Sequence, residues 1–276
     1  MSYIDLHNHS FYSDGTYSPK EILQMAQEEQ VSVLAITDHN ELKGTEILME
    51  LAKNTDIQCV TGVEIDCTEF GRNIHMLGYN FDLENEQFRE FVTANRVLLD
   101  VANRDFVEMI AKQDTRVSLE DYDNYEYDRR LGGWRAIHYF VERGVAGDLD
   151  DSFDLFFKGD FSYEDISFFG VKRVIDEIHQ AHGKAIIAHP GRVFKDLNDA
   201  EFEEILRKLV MLGIDGIECY YPKHTEKQAE ICLKICEIFN LFVTSGSDCH
   251  GTFETTKIGQ MKTVPSQVKI NFDIER

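Results

Sequence analysis

Six of the ten histidines sit in short motifs that end or follow apolar runs, each with a carboxylate, a second histidine or a turn residue beside it. In chain order these are Asp5-Leu6-His7-Asn8-His9, Thr37-Asp38-His39-Asn40, Gly62-Val63-Glu64-Ile65-Asp66, Ile74-His75-Met76, Ala188-His189-Pro190-Gly191-Arg192 and Ser247-Asp248-Cys249-His250-Gly251. Imidazoles mixed with carboxylates suit divalent Zn, Mn or Fe, and so many nitrogens disfavour an oxygen-seeking ion such as Ca. Neighbouring cations need a shared anion, and Glu64, after the apolar run 60–63, is the best bridging candidate. His7 and His9 lie two apart, so an extended strand puts both on one face, where they can chelate together. Asp14, before Gly15, reads either as a ligand or as a turn residue. His75 reads as a ligand or as a satisfied core histidine. Asp38 and Asp66 fit the orientation of an imidazole, or plain turn chemistry, better than ligation. Arg192 offers a planar fork to a phosphate, with a surface ion pair as the alternative. His224 is a candidate to hydrogen-bond that phosphate or protonate a leaving oxygen, with a loop cap as the alternative, and Asp248 is a candidate proton acceptor.

These residues must be carried by elements that end at one place. Short β runs at 3–6, 31–37, 58–65, 73–77, 184–189, 216–220 and 242–245 alternate with amphipathic segments. Ser18, Pro19 and Glu21 form a capping box with a first-turn proline, and Thr225 with Gln228 forms another. Segments 42–54, 171–182 and 199–211 fill the remaining helical slots. This rhythm of branched strands and helices predicts an α/β fold with a parallel sheet, and seven strands suggest an incomplete barrel. Residues 81–168 break the rhythm. There 86–113 reads as one or two helices, acidic stretches 120–128 and 148–154 read as solvated loops, and Gly132-Gly133-Trp134 leads a short helix carrying Arg135 and His138. Trp134 reads more readily as an anchor than as a base-stacking platform. A stretch this long is best read as an inserted, mainly helical subdomain between barrel portions 1–80 and 169–276.

Taken together, the His-x-His, Thr-Asp-His, Gly-x-Glu, lone His75, Ala-His-Pro and Ser-Asp-x-His motifs resemble the PHP (polymerase and histidinol phosphatase) family of metal-dependent phosphoesterases. Ala-His-Pro-Gly-Arg, Tyr221-Pro222-Lys223-His224-Thr225 and the long insert look most like its nucleotide branch, which acts on substrates such as nucleoside 3′,5′-bisphosphates. The resemblance implies a distorted (β/α)7 barrel with the insert over its mouth. It also implies two or three metal ions: one on His7, His9, Glu64 and Asp248, a second on Glu64, His75 and His189, and a third on Asp14, His39 and His250. Some family members have histidine at position 14, so the aspartate gives the third site more oxygen character, open to Mn or Mg. Where the branch is expected to have Gly-Arg-x-His, this chain has Gly132-Gly133-Trp134-Arg135, and Arg135 becomes the candidate substrate contact on the insert. The implied chemistry is attack on phosphorus by a metal-bridging hydroxide.

With 276 residues, 43% of them hydrophobic and 28% charged, the chain falls among ordinary globular enzymes. No apolar run approaches a membrane span and no leader precedes the first strand, so a cytoplasmic enzyme without membrane association is expected. The six cysteines make no Cys-x-x-Cys pair and read as reduced and structural; Cys249 is expected to face away from its ligand neighbours. A net charge of −22 disfavours a grip on long nucleic acid unless basic groups gather in one cleft. The expected substrate is therefore a small phosphate ester, such as a nucleotide or the end of a short oligonucleotide. Histidinol phosphate is the alternative within enzymes, and a non-catalytic metal-binding or regulatory module the alternative outside them. The residues leave the native metal and oligomeric state open.

Overall fold

A computed structural model describes residues 2–158 and 166–270. Local sequence accounts for the helix starts. At α1 (Pro19–Glu28) the Ser18 hydroxyl accepts from the Glu21 N–H at 3.2 Å, while the Glu21 carboxylate accepts from the Ser18 N–H at 2.7 Å. The same reciprocal box, from Thr225 and Gln228, opens α10 (Glu226–Phe239). Both satisfy amide donors that a helix otherwise leaves open at its first turn.

The strands form two sheets. One is parallel, in the order β1 (Tyr3–Asp5), β2 (Val31–Ala35), β3 (Gln58–Val60), with α1 and α2 (Lys43–Ala52) as crossovers. The other runs in the order β4 (Gly62–Glu69), β5 (Arg72–Tyr79), β6 (Lys184–Ile187), β7 (Gly216–Tyr220), β8 (Phe242–Ser245). The fold is α/β as expected, but the seven-strand barrel is not closed. The run expected as one strand over 58–65 splits after Val60, and its two halves join different sheets. The strand carrying His75 is antiparallel to both neighbours. Its hairpin turns through Phe70 and Gly71, both at positive φ (53° and 71°). Such a tight turn usually carries Asn-Gly or Asp-Gly, so Phe70 hid it from the sequence. Between the sheets, ladders are replaced by the isolated parallel bridges His39–Glu64 and Asn8–Cys249.

Alternation along the strands divides the core. Ile4, Leu6, Val33, Ala35, Leu77, Tyr79, Ile186 and Ala188 meet between the sheets, and the Tyr79 hydroxyl donates to the Leu6 carbonyl across them at 2.7 Å. The opposite faces of β4 to β8 pack on α7 (Val171–Gln180), α9 (Asp199–Leu212) and α10. The insert has its own apolar cluster around Phe106, Tyr139, Phe140 and Phe156. It comprises α3 (Glu86–Ala111), α4 (Leu119–Asp123), α5 (Arg135–Glu142) and α6 (Leu149–Lys158). Both acidic stretches read as loops thus contribute helix. The expected boundary at 168 follows residues 159–165, which lie outside those described. Among the described residues no helix is long and apolar enough to cross a membrane.

Gly62 sits where the chain changes sheets, and a Cβ there would lie 2.6 Å from the Ile36 carbonyl oxygen. Gly62→Ala should cost about 1–3 kcal/mol through overpacking. Thermal unfolding of the chelator-treated protein checks this, because a melting temperature equal to that of the unsubstituted chain would show that the junction yields.

Candidate metal centre

At the strand ends the backbone leaves its regular path. His39 and Glu64 face each other across the isolated bridge, while Asn40, His189 and Asp248 take positive φ values of 48°, 26° and 53°. Left-handed conformations in residues other than glycine cost energy and concentrate at functional sites. Here they turn successive side chains into one focus.

Four donor atoms define its centre. His7 Nε2 lies 3.1 Å from His9 Nε2, and these lie 3.0 and 3.2 Å from Glu64 Oε2 and 3.4 and 3.2 Å from Asp248 Oδ1. A tetrahedral ion with bonds of about 2.0–2.2 Å has edges of roughly 3.3–3.6 Å, close to these separations. Glu64 Oε1 faces the other way, 2.9 Å from His75 Nδ1 and 3.1 Å from His189 Nε2. Asp14 gathers a third group, with Oδ2 3.2 Å from His250 Nε2 and 3.8 Å from His39 Nε2, and Oδ1 3.5 Å from His9 Nδ1. All nine proposed ligands therefore meet at one place. His39 also approaches Glu64 Oε2, the first group's oxygen, at 3.4 Å, and its donor atoms lie close both to Glu64 and His75 and to His9, Asp14 and His250.

The electrostatics fit divalent cations. Burial opposes ionisation of Glu64, yet the His7, His39 and His75 imidazoles hold its carboxyl well below the usual range. Asp248 is likewise buried and likewise held down, by His7, His9 and His250. In return, and against its burial, His9 is pushed up to about 10 by Asp248 and Glu64. The carboxylates demand positive charge, which protons on imidazole or bound cations can supply. Nδ1 of His9, which faces Asp14, is buried without a hydrogen-bond partner, as a donor atom reserved for an ion would be.

The flanking acids separate by role. Asp38 accepts from the Ser10 N–H (2.7 Å), the Ser10 hydroxyl (2.6 Å) and the Ser13 hydroxyl (2.7 Å), so it braces the loop that carries Asp14. Asp66 lies 3.2 Å from His75 Nε2 and orients that ring. Two groups were missed as site residues by sequence reasoning. Glu218 on β7, with no exposed surface, lies 3.0 Å from His7 Nδ1, and the Tyr221 hydroxyl donates to Asp248 Oδ2 at 3.0 Å. A lone acid within the strand run 216–220 was the available signal for the first. Cys249 packs in the outer core beside α1 and β2, and all six cysteines are free.

Arg192 Nη1 donates to Asp248 Oδ2 at 3.2 Å while 44% of its side chain stays exposed. His224 departs from expectation. Its Nε2 accepts from the Gly191 N–H at 3.1 Å, and its Nδ1 lies 3.2 Å from the Cys219 carbonyl, so both ring nitrogens are committed to backbone. Burial lowers its pKa to about 4. It is a structural brace behind Arg192 and not a proton donor to a leaving group. Arg135 stacks over the Tyr122 ring at 4.2 Å. Trp134 packs edge-on against Phe153 and Phe156, as an anchor would.

Above the focus opens a cavity of about 1080 Å³ between the strand ends and the insert. Its cationic lining comprises Arg72, Arg96, Arg129, Arg135, Arg192 and Lys195. The insert holds the metal-side loop directly, since the Gly133 N–H donates to the Asp14 carbonyl at 2.7 Å.

Comparison with known proteins gives a match of residues 5–243 to the PHP domain. The chain is 28% identical to a 5′-3′ exoribonuclease of Haemophilus influenzae, covering 89% of each chain. It is 25% identical to a 3′,5′-nucleoside bisphosphate phosphatase of Chromobacterium violaceum, covering 96% of this chain and 93% of that one. Among solved structures, a Bifidobacterium adolescentis protein assigned as a metal-dependent phosphoesterase superposes with a TM-score of 0.79 at 24% identity, covering 94% of this chain and 91% of the other.

Two outcomes follow from the geometry. Metal analysis after loading with Mn or Zn should find that Glu64→Ala loses more than one ion per chain, whereas Asp14→Ala loses one and keeps the group around His7. A full complement in Glu64→Ala would remove its bridging role. His224→Ala should strand the Gly191 N–H at a cost of about 1–3 kcal/mol and leave the pH profile of kcat in place. A lost acidic or basic limb would restore a proton-transfer role.

Proposed function

Because this chain belongs to the PHP domain family, whose members are metal-dependent hydrolases of phosphoester bonds, we propose that it removes terminal phosphate or a terminal nucleotide from small nucleotides and short RNA ends. The observation that carries this reading is the position of three carboxylate–imidazole groups at the floor of a cavity lined by six basic side chains beside Asp100, Asp196 and Glu254, in a chain of net charge −22. The overall charge repels a polyanion, but Arg129, Arg135 and Arg192 on the cavity wall offset that repulsion locally for the few phosphates that enter.

In this reading His7, His9, Glu64 and Asp248 hold one ion, Glu64, His75 and His189 a second, and Asp14, His39 and His250 a third. Bound divalent ions lower the pKa of water toward neutrality and offset charge on phosphoryl oxygens. Manganese, zinc or iron suits the nitrogen-rich pair of sites, and magnesium the third. The protein's own contribution is orientation. Arg192, tethered to Asp248 through one nitrogen, presents the rest of its guanidinium to a phosphate oxygen. Asp248, held on its outer oxygen by Tyr221 and Arg192, is the proton acceptor nearest the reacting centre. The helices α3 to α6 of the insert form the far wall, where Arg135, fixed by its stacking on Tyr122, contacts a second phosphate. Relatives named as a 5′-3′ exoribonuclease and as a 3′,5′-nucleoside bisphosphate phosphatase support a substrate that offers a terminal phosphate.

The test is phosphate and nucleotide release from nucleoside 3′,5′-bisphosphates, 5′-phosphorylated RNA of two to about thirty nucleotides, and histidinol phosphate, with Mn, Zn and Mg supplied separately. Bisphosphates and the shortest RNAs should give the highest kcat/KM at low salt, with closed circles uncut. Arg192→Ala should lower kcat/KM by more than tenfold, about 1.4 kcal/mol, with lysine rescuing only in part. Arg135→Ala should narrow the preference for bisphosphate over monophosphate without changing metal content. Preference for histidinol phosphate, or cleavage within circles, would overturn the proposed substrate.

A further inference from the structure

We propose that Glu218 is a positioning residue that binds two metal groups into one unit: it fixes the tautomer of His7 with one carboxylate oxygen and the backbone of His189 with the other. Oε1 lies 3.0 Å from His7 Nδ1, and Oε2 accepts from the His189 N–H at 2.8 Å. Those residues belong to different groups, His7 with His9 and Asp248, His189 with Glu64 and His75. Glu218 touches neither focus itself.

Each contact has its own consequence. His7 Nε2 faces Glu64 and Asp248 at 3.0 and 3.4 Å, so the ring can offer a lone pair there only if its proton sits on Nδ1. A carboxylate that only accepts selects that form. His189 holds a φ of 26°, and its N–H would be stranded in a buried strand end without Oε2. One hydrogen bond therefore supports a strained residue whose conformation aims the imidazole at Glu64. No room exists for rearrangement. A Cβ on Gly246 would lie 2.6 Å from Glu218 Oε1 and collide with His7 Cβ, so the opposing backbone presses the carboxylate against its partners.

Glutamine cannot replace it. With its amide oxygen toward His7, the –NH2 meets the His189 N–H, donor against donor. Turned over, the –NH2 faces His7 Nδ1 and drives the proton to Nε2, where the metal should sit.

The inference rests on the reading of His7 and His189 as ligands, and the experiment separates the two. Metal-free protein is titrated with Zn2+ or Mn2+, and zinc-loaded protein is examined by long-range 1H–15N correlation. Unsubstituted protein should show the His7 proton on Nδ1. Glu218→Gln should weaken metal binding about 10- to 100-fold at both groups and move or abolish that proton signal, while Glu218→Asp keeps the signal and recovers part of the affinity. Equal affinity in Glu218→Gln, or a lower melting temperature of the metal-free variant with unchanged affinity, would overturn the role of Glu218. The His7 proton on Nε2 in unsubstituted protein would do so without any variant, which decides the matter even if Glu218→Gln fails to fold. Unsubstituted protein that takes up no zinc would instead overturn the ligand assignment.

Discussion

Glu64 has no exposed surface, and five imidazoles stand within 3.4 Å of its two oxygens: His7, His9 and His39 on one, His75 and His189 on the other. A buried carboxylate is costly unless positive charge and hydrogen bonds surround it. The arrangement of strand ends answers that demand. The segments after β1, β2, β6 and β8 and the interiors of β4 and β5 supply donors to the same focus, and regular backbone is abandoned at Asn40, His189 and Asp248 to bring side chains in. Such a centre competes for cations against protons on the same imidazoles, so its occupancy is tied to pH.

The candidate ligands that the fold gathers were legible because metal chemistry leaves a local signature, in which histidines pair with acids at the ends of apolar runs. The helix starts were legible for a similar reason, since a capping box is written in four consecutive residues. The sheet was less so. Whether 58–65 is one strand or two depends on Gly62 and its close approach to Ile36, a contact between segments remote from the turn itself. The antiparallel course of β5 depends on a hairpin whose Phe70 adopts a conformation that its residue type disfavours. Glu218 stayed hidden because its role is set by what lies opposite, His7 from the first strand and His189 from the sixth. His224 misled because its motif position placed it near the phosphate, whereas the fold turned both nitrogens toward backbone carbonyl and amide.

The insert resolves an apparent conflict between net charge and substrate charge. Acidic residues dominate the exterior, but Arg96, Arg129 and Arg135 are turned toward the cavity, opposite Arg192. Among the described residues Arg129 and Arg135 make no ion pair with a carboxylate, so their charge remains available inward. A phosphate is thereby drawn to one opening on a surface that otherwise turns it away.

The donors come from both sides of a seam. His7, His9, Asp14 and His39 follow strands of the three-stranded sheet, while Glu64 and His75 lie within strands of the other and His189, Asp248 and His250 follow them. Along that seam the backbone contributes two short runs of bonds, Leu6 N–H to Ser245 O, Asp248 N–H to His7 O and His9 N–H to Cys249 O on one side, and Glu64 N–H to Asp38 O and Asn40 N–H to Glu64 O on the other. Ions held there would act as rivets between two plates that short runs of backbone bonds already join. Loading the centre would then be a mechanical event as well as a chemical one, because the bonds that ready the site for a phosphate would also limit how far the two halves of the scaffold can breathe apart.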